Sequence, residues 1–275
     1  MPLAKNAKGR EMKSLALSNP FNAPVFHMDT VSSTMDISRK LEAEGKAHGT
    51  VITADFQNAG RGRGLDKGKN RIWEMQKGVN LPFTMLLRYS SFNDIPPALT
   101  LRAGLAVSLA IEDFVPSLQG NIKVKWPNDV MIGAKKAAGI ICEADGGTVH
   151  LGIGINVAQK KFSAHLQEKA VSIAIAAGLS FKKNDRFVLL EKVLMRLYDE
   201  LNDEPDTEYA KNWKPRLEKR LYKIGEQVTF IEGGADSGKE IKGCLFGIGD
   251  NGELLVIPKD KEEPRSFITG ELVVY

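Results

Sequence analysis

Between residues 122 and 157, four apolar runs follow one another so closely that only tight turns fit between them, and this crowding limits the fold more than any other stretch. Residues 122–126, 130–132, 138–143 and 149–157 read as successive strands. Gly133 supports a hairpin between the middle pair, and Asp145-Gly146-Gly147 marks a turn between the last two. The same segment carries Lys125-Trp126-Pro127-Asn128-Asp129, with Lys136-Ala137-Ala138-Gly139-Ile140-Ile141 following seven positions after Asp129. Asn and Asp are depleted in strands and Lys is costly to bury, so this mixture is unusual for pure scaffold.

Around this segment the pattern mixes helices and strands. Short strands are expected over 24–28, 50–54 and 81–88, and a helix over about 35–44 in which Ile37 and Leu41 share a face. Pro96 and Pro97 open a strongly apolar helix reaching Val115, apolar on most sides and so expected to be buried. From Asp185 a stripe of Phe187, Leu190, Leu194, Leu197 and Leu201 predicts a further helix, and another is expected over 207–221. Beyond Tyr222 short alternating runs at 227–231, 241–248, 254–257 and 266–274, separated by Gly- and Pro-containing turns, predict a β-barrel of about 50 residues.

Composition narrows the class. With 43% hydrophobic residues in 275, the chain can build a large core, and one large plus one small domain is the natural expectation. No apolar run was expected to reach the ~18 residues that span a bilayer, and the N-terminus lacks a signal-peptide stretch. Cys142 and Cys244 are lone cysteines without CxxC spacing, which points to a reducing cytoplasm rather than a disulfide framework. The net charge is +4, and the cations cluster: Arg61, Arg63, Lys67, Lys69 and Arg71 stand against Asp66 alone. A local basic loop fits a small polyanion better than a broad nucleic-acid surface.

That loop contains Gln57-Asn58-Ala59-Gly60-Arg61-Gly62-Arg63-Gly64. It is neither a P-loop nor a dinucleotide fingerprint, but exposed backbone N–H groups with arginines can cradle an anion in a similar way. A flexible connection is the plain alternative. Lys135-Lys136 is either the polar tip of a hairpin or a place where Lys136 turns inward toward Asp129. Trp126, extended by Pro127, is equally a core anchor, and Asn128 and Asp129 are equally turn formers. Ser33-Thr34 can cap a helix with one hydroxyl and leave the other for a ligand. His27, His48, His150 and His165 show no metal spacing, and no Ser/His/Asp order stands out.

Taken in order, Ser33-Thr34, Gln57 with Ala59-Gly60-Arg61-Gly62-Arg63, Trp73, Gly78 and Asn80, Lys125-Trp126-Pro127-Asn128-Asp129, Lys136 with Gly139-Ile140, and Gly152-Ile153-Gly154-Ile155-Asn156-Val157 resemble the biotin protein ligases over roughly residues 25–275. The resemblance implies an α+β fold: a mixed β-sheet flanked by helices, like class II tRNA synthetases, followed by an SH3-like β-barrel. It divides the chain into an N-terminal tail over 1–22, a catalytic biotin- and ATP-binding domain over 23–221 and a small C-terminal domain over 222–275. Two departures stand out. Residues 65–70 lengthen the basic loop before Arg71-Ile72-Trp73, and Met75-Gln76 replaces a Ser-Pro common after the tryptophan. Many relatives carry an N-terminal winged helix; about 22 residues before the first expected strand leave no room for one, so repressor function is not expected.

The reaction implied by the resemblance activates biotin with ATP, carried in with Mg²⁺, to biotinyl-5′-AMP, and then transfers the biotinyl group to a lysine of a biotin carboxyl carrier domain. By the same resemblance Lys136, Arg61, Arg63 and Asp129 are the catalytic set. Ser33, Thr34, Gln57, Gly60, Gly62 and Gly139 join Arg61, Arg63 and Lys136 around biotin. Arg71, Trp73, Asn128 and Asn156 join Arg63 and Lys136 around the nucleotide. No resident metal, specific nucleic acid or membrane is implied, and the chain is expected as a monomer or homodimer. The basic loop is expected to close over bound ligand. The alternatives are a lipoate or octanoate ligase of the same fold, whose Arg-Arg-x-x-Gly-Gly element is missing here, and a non-catalytic biotin or nucleotide sensor.

Overall fold

The computed structural model describes residues 11–66, 69–201, 212–233 and 238–273, with the side chains of 65, 66 and 69–71 outside the description. Eight strands build the main sheet: β1 (Lys13–Leu15), β2 (Val25–Val31), β3 (Thr50–Gln57), β6 (Leu81–Arg88), β7 (Ile122–Lys125), β8 (Asp129–Ile132), β9 (Lys135–Asp145) and β10 (Thr148–Ile155). Their order is β1-β2-β3-β6-β10-β9-β8-β7. The tight turns of the 122–157 segment make β7 to β10 an antiparallel meander, as crowding requires. Only β2 and β3 pair parallel, because α1 (Thr34–Ala43) carries the chain across between them. The sheet is therefore mixed, as the resemblance implies.

Helices cover both faces. α1 packs Ile37 and Leu41 onto Met28, Ile52 and Ala54. On the other face lie α2 (Leu99–Phe114) and α4 (Asp185–Leu201), with a short α3 (Ile173–Ala177) in the loop between β10 and α4. Contrary to the expectation about apolar runs, Phe92–Phe114 is long and apolar enough to cross a bilayer. Its apolarity has a local cause: α2 is wedged between the sheet and α4, so nearly every side is buried, and it carries Arg102 and Glu112 inside. In α4 the leucine stripe is buried as expected, but Arg186 takes the buried place at its start, and Phe187 lies half-exposed beside it.

The C-terminal sheet has five strands, β11 (Gln227–Glu232), β12 (Lys239–Ile248), β13 (Leu254–Pro258), β14 (Arg265–Phe267) and β15 (Gly270–Val273), in the order β14-β13-β12-β11-β15. This is the SH3-like unit. The single run expected over 266–274 is two strands, because the chain turns at Ile268 and Thr269 and needs positive φ at Gly270 (145°). Leu101, Leu105, Val124 and Trp126 share one core with this sheet, and α5 (Trp213–Glu218) closes it. Of the helix expected over 207–221, residues 207–211 lie outside the described residues. Lys13–Leu15, inside the expected tail, add an edge strand on β2. The basic segment is a hairpin of β4 (Arg61–Asp66) and β5 (Lys69–Ile72) with an irregular register, rather than an unpaired loop.

Two buried polar groups tie helices to the sheet. Asp55 on β3 bonds Arg186 of α4, accepts from Lys183 Nζ at 2.7 Å, and lies 3.2 Å from His27 Nε2. Burial opposes ionisation of Asp55, but the hydrogen bonds from Lys183 and Arg186 outweigh it and hold its carboxyl below the usual range. On the other face Ser38 Oγ lies 2.8 Å from His150 Nδ1, whose Nε2 is 3.0 Å from Glu42. That order imitates a nucleophilic triad, yet Ser38 and His150 are fully buried, so the group clamps α1 to β10.

Arg186→Leu removes the buried partner of the Asp55 carboxylate, leaving it to Lys183 and His27, and should cost about 3 kcal/mol or more in urea unfolding. Arg196→Ala, which breaks an exposed pair with Asp113, should cost less than about 1 kcal/mol. Equal costs would mean that Asp55 is solvated. Burial also lowers the imidazole pKa of His27, against Asp55, and of His150, against Glu42. The unfolded chain then binds more protons below about pH 6.5, so stability should fall as pH drops through that value. The urea midpoint at pH 5.5 should lie below that at pH 7.5, and His150→Gln should reduce the difference; a flat or rising midpoint contradicts this account.

Candidate functional site

The floor of the site is bare backbone. Gly139 of β9 and Gly154 of β10 are cross-strand partners, and Gly152 shares their face two residues away. The Trp73 indole lies on this patch: a Cβ at Gly154 would sit 2.8 Å from its ring, and one at Gly139 would sit 3.0 Å. A Cβ at Gly152 would stand 3.0 Å from Met35 Sδ. Three side chains are thus missing where the strands would otherwise fill the space between sheet and α1. The result is an open cleft enclosing about 450 Å³ of empty space, open solvent included, which Met35, Phe83 and Ile153 also line.

At one end the turn from β2 into α1 supplies the polar groups. Ser33 is the N-cap residue, and its hydroxyl accepts from Met35 N at 3.3 Å. Gln57, at the end of β3, accepts at Oε1 from both Thr34 N (2.7 Å) and Thr34 Oγ1 (3.0 Å). Ser33 therefore caps, and the Thr34 hydroxyl is engaged with Gln57.

At the other end Lys136 turns inward. The register shift between β8 and β9 sets Lys136 opposite Met131, and its Nζ lies 2.6 Å from Asp129 Oδ1 and 5.4 Å from the Trp73 ring centre. Lys135 points away, donating to Gln167 O at 2.8 Å. The hairpin and the inward lysine are thus both present, one residue apart. Asn128 donates through Nδ2 to Ile140 O at 2.8 Å, which holds the 126–129 corner on β9. Trp126 is a core anchor: its Nε1 donates to Gly252 O in the β12–β13 turn at 3.0 Å and its ring meets Phe230 edge-on.

The β4–β5 hairpin forms the roof. Arg61 Nη2 lies 2.8 Å from Asp36 Oδ1, and its Nε is 3.9 Å from Glu143. Arg63 Nη2 donates to Gly270 O of β15 at 2.6 Å, so the roof rests on the C-terminal domain. Behind the wall, burial and then the neighbouring Glu143 push the Cys142 thiol up to about 11, which keeps it protonated and unreactive.

Ser33, Thr34, Gln57, Arg61, Gly62, Arg63, Trp73, Asn128, Lys136 and Gly139 therefore line one cavity, and Asp129 contacts it through Lys136. Gly60 sits at its edge, where its O accepts from Trp73 N. Asn156 does not reach the cavity: it is buried behind β9, donating to Val171 O at 3.3 Å. The Arg71 side chain lies outside the described residues. Met35, Phe83 and Ile153 are linings that sequence reasoning missed; the alternate glycines of Gly152-Ile153-Gly154 were the available signal. Asp36 and Glu143, the partners of Arg61, carried none. Among the described residues no three His, Cys, Asp or Glu side chains group as a metal site.

Residues 28–159 match the model of the biotin/lipoate A/B protein ligase family. A bifunctional ligase/repressor BirA of Bacillus subtilis (strain 168) is 36% identical over 182 residues, 62% of this chain and 51% of that protein. The chain thus spans about half the length of the curated relatives it matches first. A biotin--[acetyl-CoA-carboxylase] ligase of Paracoccus denitrificans is 28% identical over 222 residues, covering 78% of this chain and 86% of that one. Among solved structures, the biotin protein ligase from Aquifex aeolicus in complex with biotin and ATP superposes with a TM-score of 0.72 at 27% identity, covering 90% of this chain and 97% of that one.

If the glycine floor seats Trp73, Gly154→Ala must lift the indole, whereas Gly152→Ala meets only the mobile end of Met35. Gly154→Ala should red-shift the Trp73 emission, isolated as the difference from Trp73→Phe, and Gly152→Ala should leave it unchanged. Identical spectra for both variants would remove Trp73 from the floor.

Proposed function

We propose, on the match of residues 28–159 to the biotin/lipoate A/B protein ligase family, that the chain activates biotin with ATP and passes the biotinyl group to a lysine of a biotin carboxyl carrier domain. The observation that carries this is the inward Lys136 at the far end of a cavity whose near end holds Thr34 and Gln57. A ligand with a polar ring at one end and a carboxylate at the other fits that layout.

In the first step a carboxylate oxygen of biotin attacks the α-phosphorus of ATP, and the bond to the departing pyrophosphate breaks. Both reactants are anions. One opposed charge at about 4 Å is worth roughly 4 kcal/mol at an effective dielectric near 20, so cations must intervene. Lys136 leaves Asp129 for the reacting oxygens, and Asp129 keeps it aimed until they arrive. Arg61 and Arg63, brought in by the roof, add charge over the phosphates. Magnesium enters with ATP on its phosphate oxygens as part of the substrate. Trp73 and Asn128 face the nucleotide, and the resemblance assigns Arg71 to it; Asn156 serves it only by holding β10 against the 171–173 segment. In the second step the acceptor lysine attacks the acyl carbon and AMP leaves.

The setting in this proposal is the cytoplasm, with Cys142 and Cys244 both free, and the chain acts as a monomer or homodimer without nucleic acid. Two other readings remain distinct: lipoate or octanoate ligation on the same fold, and a sensor that binds without turnover.

Exchange of labelled pyrophosphate into ATP separates them. Biotin should drive exchange and lipoate should not; exchange with lipoate alone supports the second ligase, and binding without exchange supports the sensor. Lys136→Ala should slow exchange by about 10²–10³, far more than it perturbs folding, and Lys135→Ala should match the parent. Equal, small effects of the two variants would contradict the assigned role of Lys136.

A further inference from the structure

The polar end of the cavity has a fixed hydrogen-bond direction, set by the Thr34 backbone N–H and anchored by a residue outside the cavity. Thr84 of β6 is fully buried and does not line the cavity, yet its hydroxyl donates to Thr34 Oγ1 at 2.8 Å. Each partner's proton is determined. The backbone N–H of Thr34 can only donate, so the atom of Gln57 facing it at 2.7 Å is the carbonyl oxygen. That oxygen can only accept, so the Thr34 hydroxyl donates to it. A hydroxyl has one proton, and the Thr84–Thr34 bond must then run from Thr84 to Thr34. The chain Thr84→Thr34→Gln57 leaves Thr34 Oγ1 with one lone pair and no proton for a ligand. It also turns the Gln57 amide nitrogen toward the cavity edge, 3.2 Å from where a Gly60 Cβ would stand.

From this arrangement we infer that Thr84 is a positioning residue that holds the Thr34 hydroxyl in the orientation that suits a cyclic urea head group over a dithiolane, an inference that rests on the ligase reading above. Thr34 offers an acceptor and requires a ligand N–H; Gln57 offers a donor and requires a ligand carbonyl. A cyclic urea has both within one five-membered ring. A dithiolane has neither, only thioether-like sulfurs that accept weakly, and it would leave Thr34 and Gln57 unpaired in a half-buried site. This distinguishes the two acid classes that the family takes by the direction of a proton rather than by cavity size.

The test measures biotin-dependent pyrophosphate exchange in the full chain carrying Thr84→Val, which keeps the shape and removes the donor, and Thr84→Ser, which keeps the donor. Thr84→Val should raise the KM for biotin and the inhibition constant of desthiobiotin, which retains the urea and lacks the sulfur, by about tenfold each. Its kcat and its KM for ATP should stay within about twofold of the parent, and Thr84→Ser should return the KM for biotin and the inhibition constant to the parent's values. Should Thr84→Val unfold, Thr84→Cys, with only a weak donor, replaces it in the comparison. If Val and Ser behave alike, or if the change falls on kcat or ATP, Thr84 only packs the sheet and the inference fails. A parent that exchanges with lipoate instead of biotin overturns the ligase assignment itself, a different outcome from either.

Discussion

An ammonium held 2.6 Å from a carboxylate at the edge of a half-buried cavity is stable only while both charges keep each other company, because each loses hydration there. Lys136 and Asp129 meet this condition across the β8–β9 hairpin. Hairpin geometry fixes both ends of the pair: Asp129 opens β8, Lys136 lies one residue into β9, and the register shift between them aims the lysine inward. An anion entering the cavity competes with Asp129 for a charge that is already in place. The rest of the site follows from this arrangement. Gly139 leaves room beside the lysine, Gly154 leaves room for Trp73, and the indole face lies against the ammonium.

The C-terminal barrel touches both segments that bring cations to the cavity. Gly252 accepts from Trp126, the first residue before the Pro127-Asn128-Asp129 corner, and Gly270 accepts from Arg63 in the roof. Phe230 packs on Trp126 and would be struck by any Cβ at Gly270. One aromatic therefore sits behind both contacts. The barrel is a buttress for the site as well as a separate sheet, which explains why its core merges with Leu101 and Leu105 of α2.

Local periodicity made much of the fold legible. The span of α4 and that of β6 match their expected positions, because a leucine stripe and an uninterrupted buried run are signals confined to one element. The β4–β5 hairpin was not legible, since glycines and cations alternate without an apolar face to betray a strand. β1 was missed because three residues carry no period. In the site, motif residues converge as expected from Ser33 to Gly139, but Asn156 turned inward, and nothing in its own neighbourhood could show that. Asp55 and Arg186 meet over 131 residues, and Thr84 and Thr34 over 50; such pairs depend on strand order and leave no mark in sequence spacing.

Adenylate chemistry at Lys136 is the central step of the proposed reaction. The most direct measurement is mass-spectrometric detection of biotinyl-5′-AMP when the chain, at stoichiometric concentration and without an acceptor, is mixed with biotin and MgATP. The account predicts that the parent accumulates the adenylate, and that a folded Lys136→Ala chain accumulates little on the same timescale. Equal accumulation by both chains, or an adenylate formed from lipoate in place of biotin, would contradict it.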